Sequence, residues 1–193
     1  MIWNLQLLPF GLLVVSLASF GWAMRSFFSK PSGDHKGMKV IRAVSTISAA
    51  LHLGAILLTP DVPVRQTVAA SGMYLMALGL FFWAIRVNRQ RQSSLSAAFS
   101  SDAPQHLVNW GPYRWIRHPF YCAYLMTWSA GFVATGRWWI LPSVAVMFVV
   151  YFRAAQMEEK KFAGSPLAEA YREYQESTGR FFPSPAMWLR TRK

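Results

Sequence analysis

Five apolar runs, from which charged side chains are excluded, limit the folds open to this chain. The first covers residues 2–24, and as a helix rising about 1.5 Å per residue it is long enough to span roughly 30 Å of hydrocarbon. Charged residues make up only 15% of the chain, and charge, proline or glycine bounds the remaining runs, at residues 43–59, 67–85, 120–135 and 138–152. We therefore predict an all-α, polytopic membrane helical bundle with about five transmembrane helices and a cytoplasmic C-terminal helix.

The first run predicts a retained helix, and the last two runs predict a helical hairpin. A signal peptide carries positive charge before a shorter apolar core, whereas the first positive charge here, Arg25, follows the run, so we expect a retained helix. The last two runs are short and are separated only by Gly136 and Arg137. This spacing predicts a tight helical hairpin.

Basic residues alternate along the segments that join the runs. The 20 Lys and Arg residues fall into groups of five, one, five, one and eight, in segments 25–42, 65, 86–117, 137 and 153–193. Because Lys and Arg are retained on the cytoplasmic side, we expect the N-terminus outside and the C-terminus in the cytoplasm. The compact size and short loops favour a bacterial inner membrane. The net charge of +12 flanks membrane spans rather than lining one face of a domain, so no nucleic-acid partner is expected.

The segment at residues 104–121, here called the elbow, contains side chains that neither a helix nor lipid requires. The Gly-Pro pair at 111–112 breaks any continuing helix. Pro119 restricts His118 to an extended conformation and suits the first turn of the helix that follows. We therefore predict a structured elbow at the membrane surface.

Basic and aromatic side chains in the elbow allow two interpretations. Arg114 and Arg117, together with free N–H groups at a helix start, would suit an anionic ligand. Alternatively, these arginines and Trp115 form a belt that anchors the span at the lipid headgroups. His118 has little anchoring value, although a lone histidine is more often structural than catalytic.

Two adjacent carboxylates follow the fifth run. Glu158 and Glu159 would be costly if they faced lipid. One interpretation places Glu159 on a solvated helical turn, paired with Lys160 or Lys161. Glu158 facing inward would instead hold the ribose hydroxyls or the amino group of a cofactor, or orient a substrate.

The C-terminal part of the chain predicts one more helix, at residues 167–177. Tyr171 and Tyr174 share one face of it, and Gly179 ends it. That face is expected to pack on the core or to close the cytoplasmic mouth of the site. We treat residues 1–193 as a single integral membrane domain, with three spans in 1–103 and the elbow, hairpin and C-terminal helix in 104–193.

These residues form a pattern that resembles a known superfamily of integral membrane enzymes. The pattern comprises Gly111-Pro112-Tyr113-Arg114, Arg117-His118-Pro119, Tyr121, Glu158-Glu159, Tyr171 and Tyr174. It resembles the isoprenylcysteine carboxyl methyltransferase and phospholipid methyltransferase superfamily over residues 105–183. The resemblance implies a multi-span helical bundle in which S-adenosylmethionine binds near the cytoplasmic face.

The resemblance also implies roles for individual residues. The cofactor-binding residues that it assigns are Gln105, His106, Leu107, Val108, Tyr113, His118, Pro119, Tyr121 and Glu158. The catalytic residues that we assign are Arg153 and Glu159. In the prenylcysteine enzymes an arginine one turn before the first glutamate binds the acceptor carboxylate, but this chain has Ala154 there, with Arg153 adjacent.

The function expected from this resemblance is methyl transfer from S-adenosylmethionine to a lipophilic small molecule, a lipid-modified substrate or a membrane lipid. A carboxylate acceptor is expected first, with Arg153 positioning the anion; an amine acceptor is the alternative and needs a base, for which Glu158, Glu159 and His118 are available. A transporter or scaffold is the alternative from another class. However, transporters place ionisable residues within their spans, and here His52 alone lies well inside one, where a hydrogen-bonded packing role is expected.

No metal site is expected, because the four histidines are scattered and no carboxylate sits at ligand spacing to them. The single cysteine, Cys122, also excludes an internal disulfide framework.

Overall fold

The computed structural model describes residues 3–26, 36–89, 104 and 106–185, and within them it forms a bundle of six α-helices. The helices are α1 Trp3–Ser26, α2 Lys36–Leu57, α3 Val64–Arg89, α4 Pro119–Thr135, α5 Leu141–Ala163 and α6 Ala168–Ser177. Two short 3-10 turns, Gly111–Arg114 and Trp138–Ile140, precede α4 and α5. The predicted all-α fold is confirmed.

Four of these helices are long and apolar enough to cross a membrane by length and composition, namely those at Leu5–Ser26, Lys39–Leu57, Val64–Arg89 and Trp138–Ala163. The predicted fourth span, α4, is shorter, at 17 residues, and lies within the bundle. Its small residues Ala123, Ala130 and Ala134 are fully buried, which lets neighbouring helices approach closely. Large apolar side chains such as Leu7, Ile47, Val68 and Val149 face outward, as expected of helices surrounded by lipid.

The first and third helices run parallel to each other. Phe20 packs on Phe81 with ring centroids 4.8 Å apart, and Leu13 lies in the same buried cluster as Tyr74. Leu13 and Phe20 are seven residues apart on α1, as are Tyr74 and Phe81 on α3, so each pair lies on one face of its helix. The long, fully buried face of α3 therefore forms the centre on which α1 and α4 pack.

The predicted hairpin is formed by α4 and α5. Gly136 ends α4 with a positive φ of 62°, a conformation that glycine adopts without steric cost. The next helix runs well past the predicted end at Phe152 and stops only at Ala163. Glu158 and Glu159 therefore project from the last turns of α5 rather than from a segment after it.

His52 has the packing role expected from the sequence. Its Nε2 lies 2.7 Å from the hydroxyl of Ser143 on α5, and its ring meets Trp128 at 5.3 Å. A Cβ at Gly131 would overlap this ring, so α4 needs glycine there for the close approach. The contacts of His52 join α2, α4 and α5.

Candidate active site

The elbow is shaped by its glycine and proline residues, as predicted. Gly111 has a φ of 62°, and a Cβ there would lie 2.5 Å from Cγ2 of Val87, so glycine lets the elbow approach α3. A 3-10 turn follows, and Pro119 then occupies the first turn of α4. His118, just before it, has φ −124° and ψ 66° rather than a fully extended backbone. These turns bring the His118 ring to the start of α4 and the last turns of α5.

A segment after α6, residues 178–181, runs alongside the elbow. Ile116 and Gly179 form an isolated parallel bridge. The backbone N–H of Arg117 donates to the carbonyl of Gly179 at 2.8 Å, and that of His118 donates to the carbonyl of Arg180 at 3.2 Å. This clasp segment therefore forms one wall of the site.

Glu159 lies at the centre of a buried ionic cluster. Its side chain is 8% exposed. Its Oε1 accepts from Nε of Arg117 at 3.1 Å, from Nε2 of His118 at 3.1 Å and from Nε of Arg180 at 3.0 Å. Its Oε2 accepts from Nη2 of Arg180 at 2.6 Å and from the Gln175 amide at 3.5 Å. One carboxylate thus joins α5, the elbow, α6 and the clasp segment.

The imidazole of His118 contacts both adjacent glutamates. Its Nε2 meets Glu159, and its Nδ1 lies 3.3 Å from Oε2 of Glu158. Burial lowers the pKa of His118, but the hydrogen bonds and charges of Glu158 and Glu159 outweigh burial and raise this pKa above its usual 6.5. Both ring nitrogens donate in the protonated form, which fixes the orientation of the ring.

Glu158 is the more accessible of the two carboxylates. Its side chain is 24% exposed, and its Oε1 accepts a 2.6 Å hydrogen bond from the hydroxyl of Tyr121. The Tyr121 ring stacks between His118, at 5.6 Å, and Tyr151, at 5.5 Å. An anionic group therefore lies next to flat aromatic faces, an arrangement suited to a ligand that carries both positive charge and an aromatic ring.

Tyr113 is anchored from two sides. The side-chain amide of Asn88, at the end of α3, donates to its hydroxyl at 2.8 Å, and the hydroxyl of Tyr174 donates to its carbonyl at 2.5 Å. Burial raises the pKa of the Tyr113 hydroxyl, which stays protonated. Tyr171 is also buried and stacks on Phe162 at 4.1 Å, so the expected packing of the α6 tyrosines on the core is confirmed.

The structure brings part of the predicted cofactor set together. His118, Tyr121 and Glu158 are in direct contact, and Pro119, which follows His118 in the chain, is buried. The other members that it describes are an exposed His106, half-buried Leu107 and Val108, and buried Tyr113. Gln105 lies outside the described residues.

The predicted catalytic pair is separated. Arg153 is exposed and shares the outer face of α5 with Met157 and Lys160, whereas Glu159 faces the elbow. The interpretation of Glu159 as part of a solvated turn is wrong, because Glu159 is buried among three basic side chains.

The expectation that Arg117 would serve an anionic ligand also needs correction. Its guanidinium is directed at Glu159 and at the carbonyls of Gln175 and Thr178. Arg114, which was expected to assist it, is exposed.

Sequence reasoning missed Arg180 and Asn88. Arg180 follows Gly179, which was expected to end the last helix and gave no indication that the chain turns back onto the elbow; α6 ends at Ser177. The sequence gave a weak signal for Asn88. It is a polar residue near the end of α3, and an amide that becomes buried there needs a hydrogen-bond partner. Its partner, Tyr113, could be identified only from the packing.

Comparison with known families identifies a match that covers the site. The model of a family described as phospholipid methyltransferase matches residues 65–172, which is more than half of the chain. The match runs from the start of α3 through the elbow and the hairpin into α6, and it ends before the clasp segment. Comparison with curated proteins finds no match.

Proposed function

Because this chain belongs to the phospholipid methyltransferase family, we propose that it transfers a methyl group from S-adenosylmethionine to a lipophilic acceptor at the site around His118, Tyr121 and Glu158. The observation that carries the proposal is the convergence of the elbow on the two glutamates of α5. His118 bonds to both carboxylates, and Tyr121 bonds to the exposed one.

The side chains of this site fit the proposed cofactor. Glu158 presents a carboxylate suited to an ammonium group or to ribose hydroxyls, and Tyr121 presents a flat face beside it. When bound, S-adenosylmethionine supplies an activated methyl group on a sulfonium. The role of the protein is then to align the acceptor and to exclude water, since displacement at a methyl carbon needs little acid or base assistance.

For the acceptor, we propose an amine ahead of the carboxylate that the sequence favoured. A carboxylate acceptor needs a cation to position it, and Arg153, the expected cation, faces away from the site. The cations that the structure places at the site, Arg117, His118 and Arg180, are each directed at a glutamate. An amine headgroup is protonated at neutral pH, so a proton must leave its nitrogen before the lone pair can accept the methyl group. Glu158, the more accessible carboxylate of the site, is available to take that proton, and the cofactor would leave as S-adenosylhomocysteine.

Calorimetric titration with S-adenosylhomocysteine tests the cofactor site. Detergent-purified protein should bind it in the micromolar range, and His118→Ala and Glu158→Ala should lose this binding. Glu169→Ala, on the exposed face of α6, is the matched control and should bind as the parent does. No binding by folded parent protein would reject the methyltransferase site and favour the transporter or scaffold alternative.

The chemical stability of the product tests the acceptor. Radiolabelled methyl groups transferred to lipids in vesicles would remain on an amine after alkaline hydrolysis, whereas a methyl ester would release volatile methanol. Alkali-resistant label in lipids with an amine headgroup is expected. Release of the label as methanol would restore the carboxylate assignment.

The orientation of the site also belongs to this proposal. We propose that the site lies at the cytoplasmic face of the inner membrane, because basic residues cluster around the elbow and after α5. In a Cys122→Ala background, Lys160→Cys and Arg137→Cys each introduce one exposed thiol. A membrane-impermeant maleimide added to intact cells should label Arg137→Cys and should not label Lys160→Cys. The reverse pattern would invert the topology.

A further inference from the structure

Arg180 lies beyond the stretch that matches the family, yet it makes the most extensive contact with the buried carboxylate of the site. We propose that Arg180 is a positioning residue, which holds Glu159 and through it His118 in the geometry that binds the cofactor. This inference rests on the proposed methyltransferase function.

The contact between Arg180 and Glu159 is bidentate. Nε of Arg180 donates to Oε1 at 3.0 Å, and Nη2 donates to Oε2 at 2.6 Å. Arg117 reaches the same carboxylate through Nε alone, at 3.1 Å. Two parallel hydrogen bonds fix the plane of a carboxylate, and a single bond leaves it free to rotate.

The backbone of the clasp segment is built to deliver Arg180 to this position. A Cβ at Gly179 would overlap the carbonyl oxygen of Phe182, so only glycine allows the tight turn. The bridge to Ile116 aligns the segment with the elbow, and the Cys122 thiol donates to the carbonyl of Phe181 at 3.1 Å. The Arg180 guanidinium also lies 4.9 Å from the centre of the Phe152 ring on α5.

The effect of Arg180 reaches His118 through a shared oxygen. Oε1 of Glu159 accepts from both Nε of Arg180 and Nε2 of His118. Because Arg180 fixes the carboxylate, it also fixes the position of that acceptor for the imidazole. Through the other ring nitrogen, His118 in turn contacts Glu158, the carboxylate proposed to bind the cofactor.

Charge balance at the site gives a test that separates positioning from simple stabilisation. The charged or titratable groups facing His118 are Glu158 and Glu159 on α5, Arg117 in the elbow, Tyr121 on α4 and Arg180 in the clasp segment. Removal of the Arg180 charge leaves two carboxylates with fewer cations, so His118 should hold its proton to higher pH. Protonated His118 contacts both glutamates, so cofactor binding should weaken once His118 loses its proton, and this alkaline limit of binding should move upward with the pKa of His118.

The experiment measures the dissociation constant of S-adenosylhomocysteine against pH for the parent and two variants. At neutral pH, Arg180→Gln should weaken binding about tenfold, the order expected for loss of charge-assisted hydrogen bonds. The pH above which Arg180→Gln loses affinity for S-adenosylhomocysteine should also be higher than for the parent. Arg180→Lys keeps the charge but not the bidentate geometry, so it should weaken binding while leaving the alkaline limit near that of the parent. Arg172→Gln, exposed on α6, is the control and should match the parent in both measurements.

The outcomes separate this inference from the function on which it rests. Parent-like affinity and pH dependence in Arg180→Gln would overturn the positioning role, as would a lower unfolding temperature with unchanged binding by the folded fraction. If Arg180→Gln does not fold, Arg180→Lys decides, because parent-like affinity in that variant overturns the role. Failure of the parent itself to bind would reject the proposed function and this inference together.

Discussion

The hydroxyl of Tyr121 donates a 2.6 Å hydrogen bond to the Glu158 carboxylate, so the presentation of that carboxylate depends on a phenol from α4. Tyr121→Phe removes only the donor and should weaken S-adenosylhomocysteine binding about tenfold, as expected for a hydrogen bond to a charged group. Calorimetric titration measures the change. Tyr124→Phe is the matched control, because the buried Tyr124 hydroxyl has no hydrogen-bond partner among the residues that the structure describes. Equal affinities for the two variants would contradict this role of Tyr121.

Removal of Glu159 should destabilise the whole protein. Glu159→Ala would leave Arg117, which is only 10% exposed, without its buried carboxylate partner. Breaking a buried pair by removing one partner costs about 3–5 kcal/mol, so we expect a large fall in the unfolding temperature in detergent. Glu169→Ala, at an exposed position on α6, should leave it unchanged. A small effect of Glu159→Ala would mean that water solvates the cluster.

The stability of the protein should fall as pH rises above neutrality. Neighbouring Glu158 and Glu159 raise the pKa of His118 above 6.5, so its contribution to stability is fully present below pH 6.5 and is lost as pH rises through the higher folded-state pKa. Unfolding temperatures measured from pH 6 to pH 9 should fall more steeply for the parent than for His118→Gln. Parallel curves would show that His118 does not carry this dependence.

Two glycines in helices should respond to alanine in opposite directions. Gly131→Ala would drive a Cβ into the buried ring of His52 and should cost about 1–3 kcal/mol, the usual range for overpacking. Gly72→Ala has open space around it and should stabilise α3 by up to about 1 kcal/mol through helix propensity. Thermal unfolding of the two variants distinguishes them. A stabilising Gly131→Ala would show that His52 has room to move.

The helices could be predicted from the sequence because lipid offers no hydrogen-bond partners, so each apolar run must pair its backbone N–H and C=O groups internally, as a helix does. The start of α2 was missed, because Lys36, Lys39 and Arg42 interrupt the apolar pattern without interrupting the helix. The end of α5 was missed for the same reason, since charged side chains beyond Phe152 are compatible with a helix that leaves the membrane.

A prediction in which α5 continues past Phe152 would also have indicated which face of the helix Arg153 occupies. At about 100° per residue, the five positions from Arg153 to Glu158 turn the helix by roughly 140°, so the two side chains face different surroundings. Adjacency in sequence therefore does not by itself show that Arg153 and Glu158 face one site. Arg180 could not be assigned from sequence at all, because its contact with Glu159 depends on a turn after α6 and on packing between distant segments.

The bridge between Ile116 and Gly179 has a consequence for the order of biosynthesis. The ribosome makes the elbow long before it makes the clasp segment, and chains fold progressively as they are synthesised, at about 5–20 residues per second. Until Arg180 has been synthesised, the carboxylate of Glu159 has its partners from the elbow and α6 but lacks the two hydrogen bonds from the clasp segment. The ionic cluster around Glu159 can therefore reach its final form only after all six helices have been translated, so an incompletely inserted chain lacks the geometry that the proposed cofactor site requires.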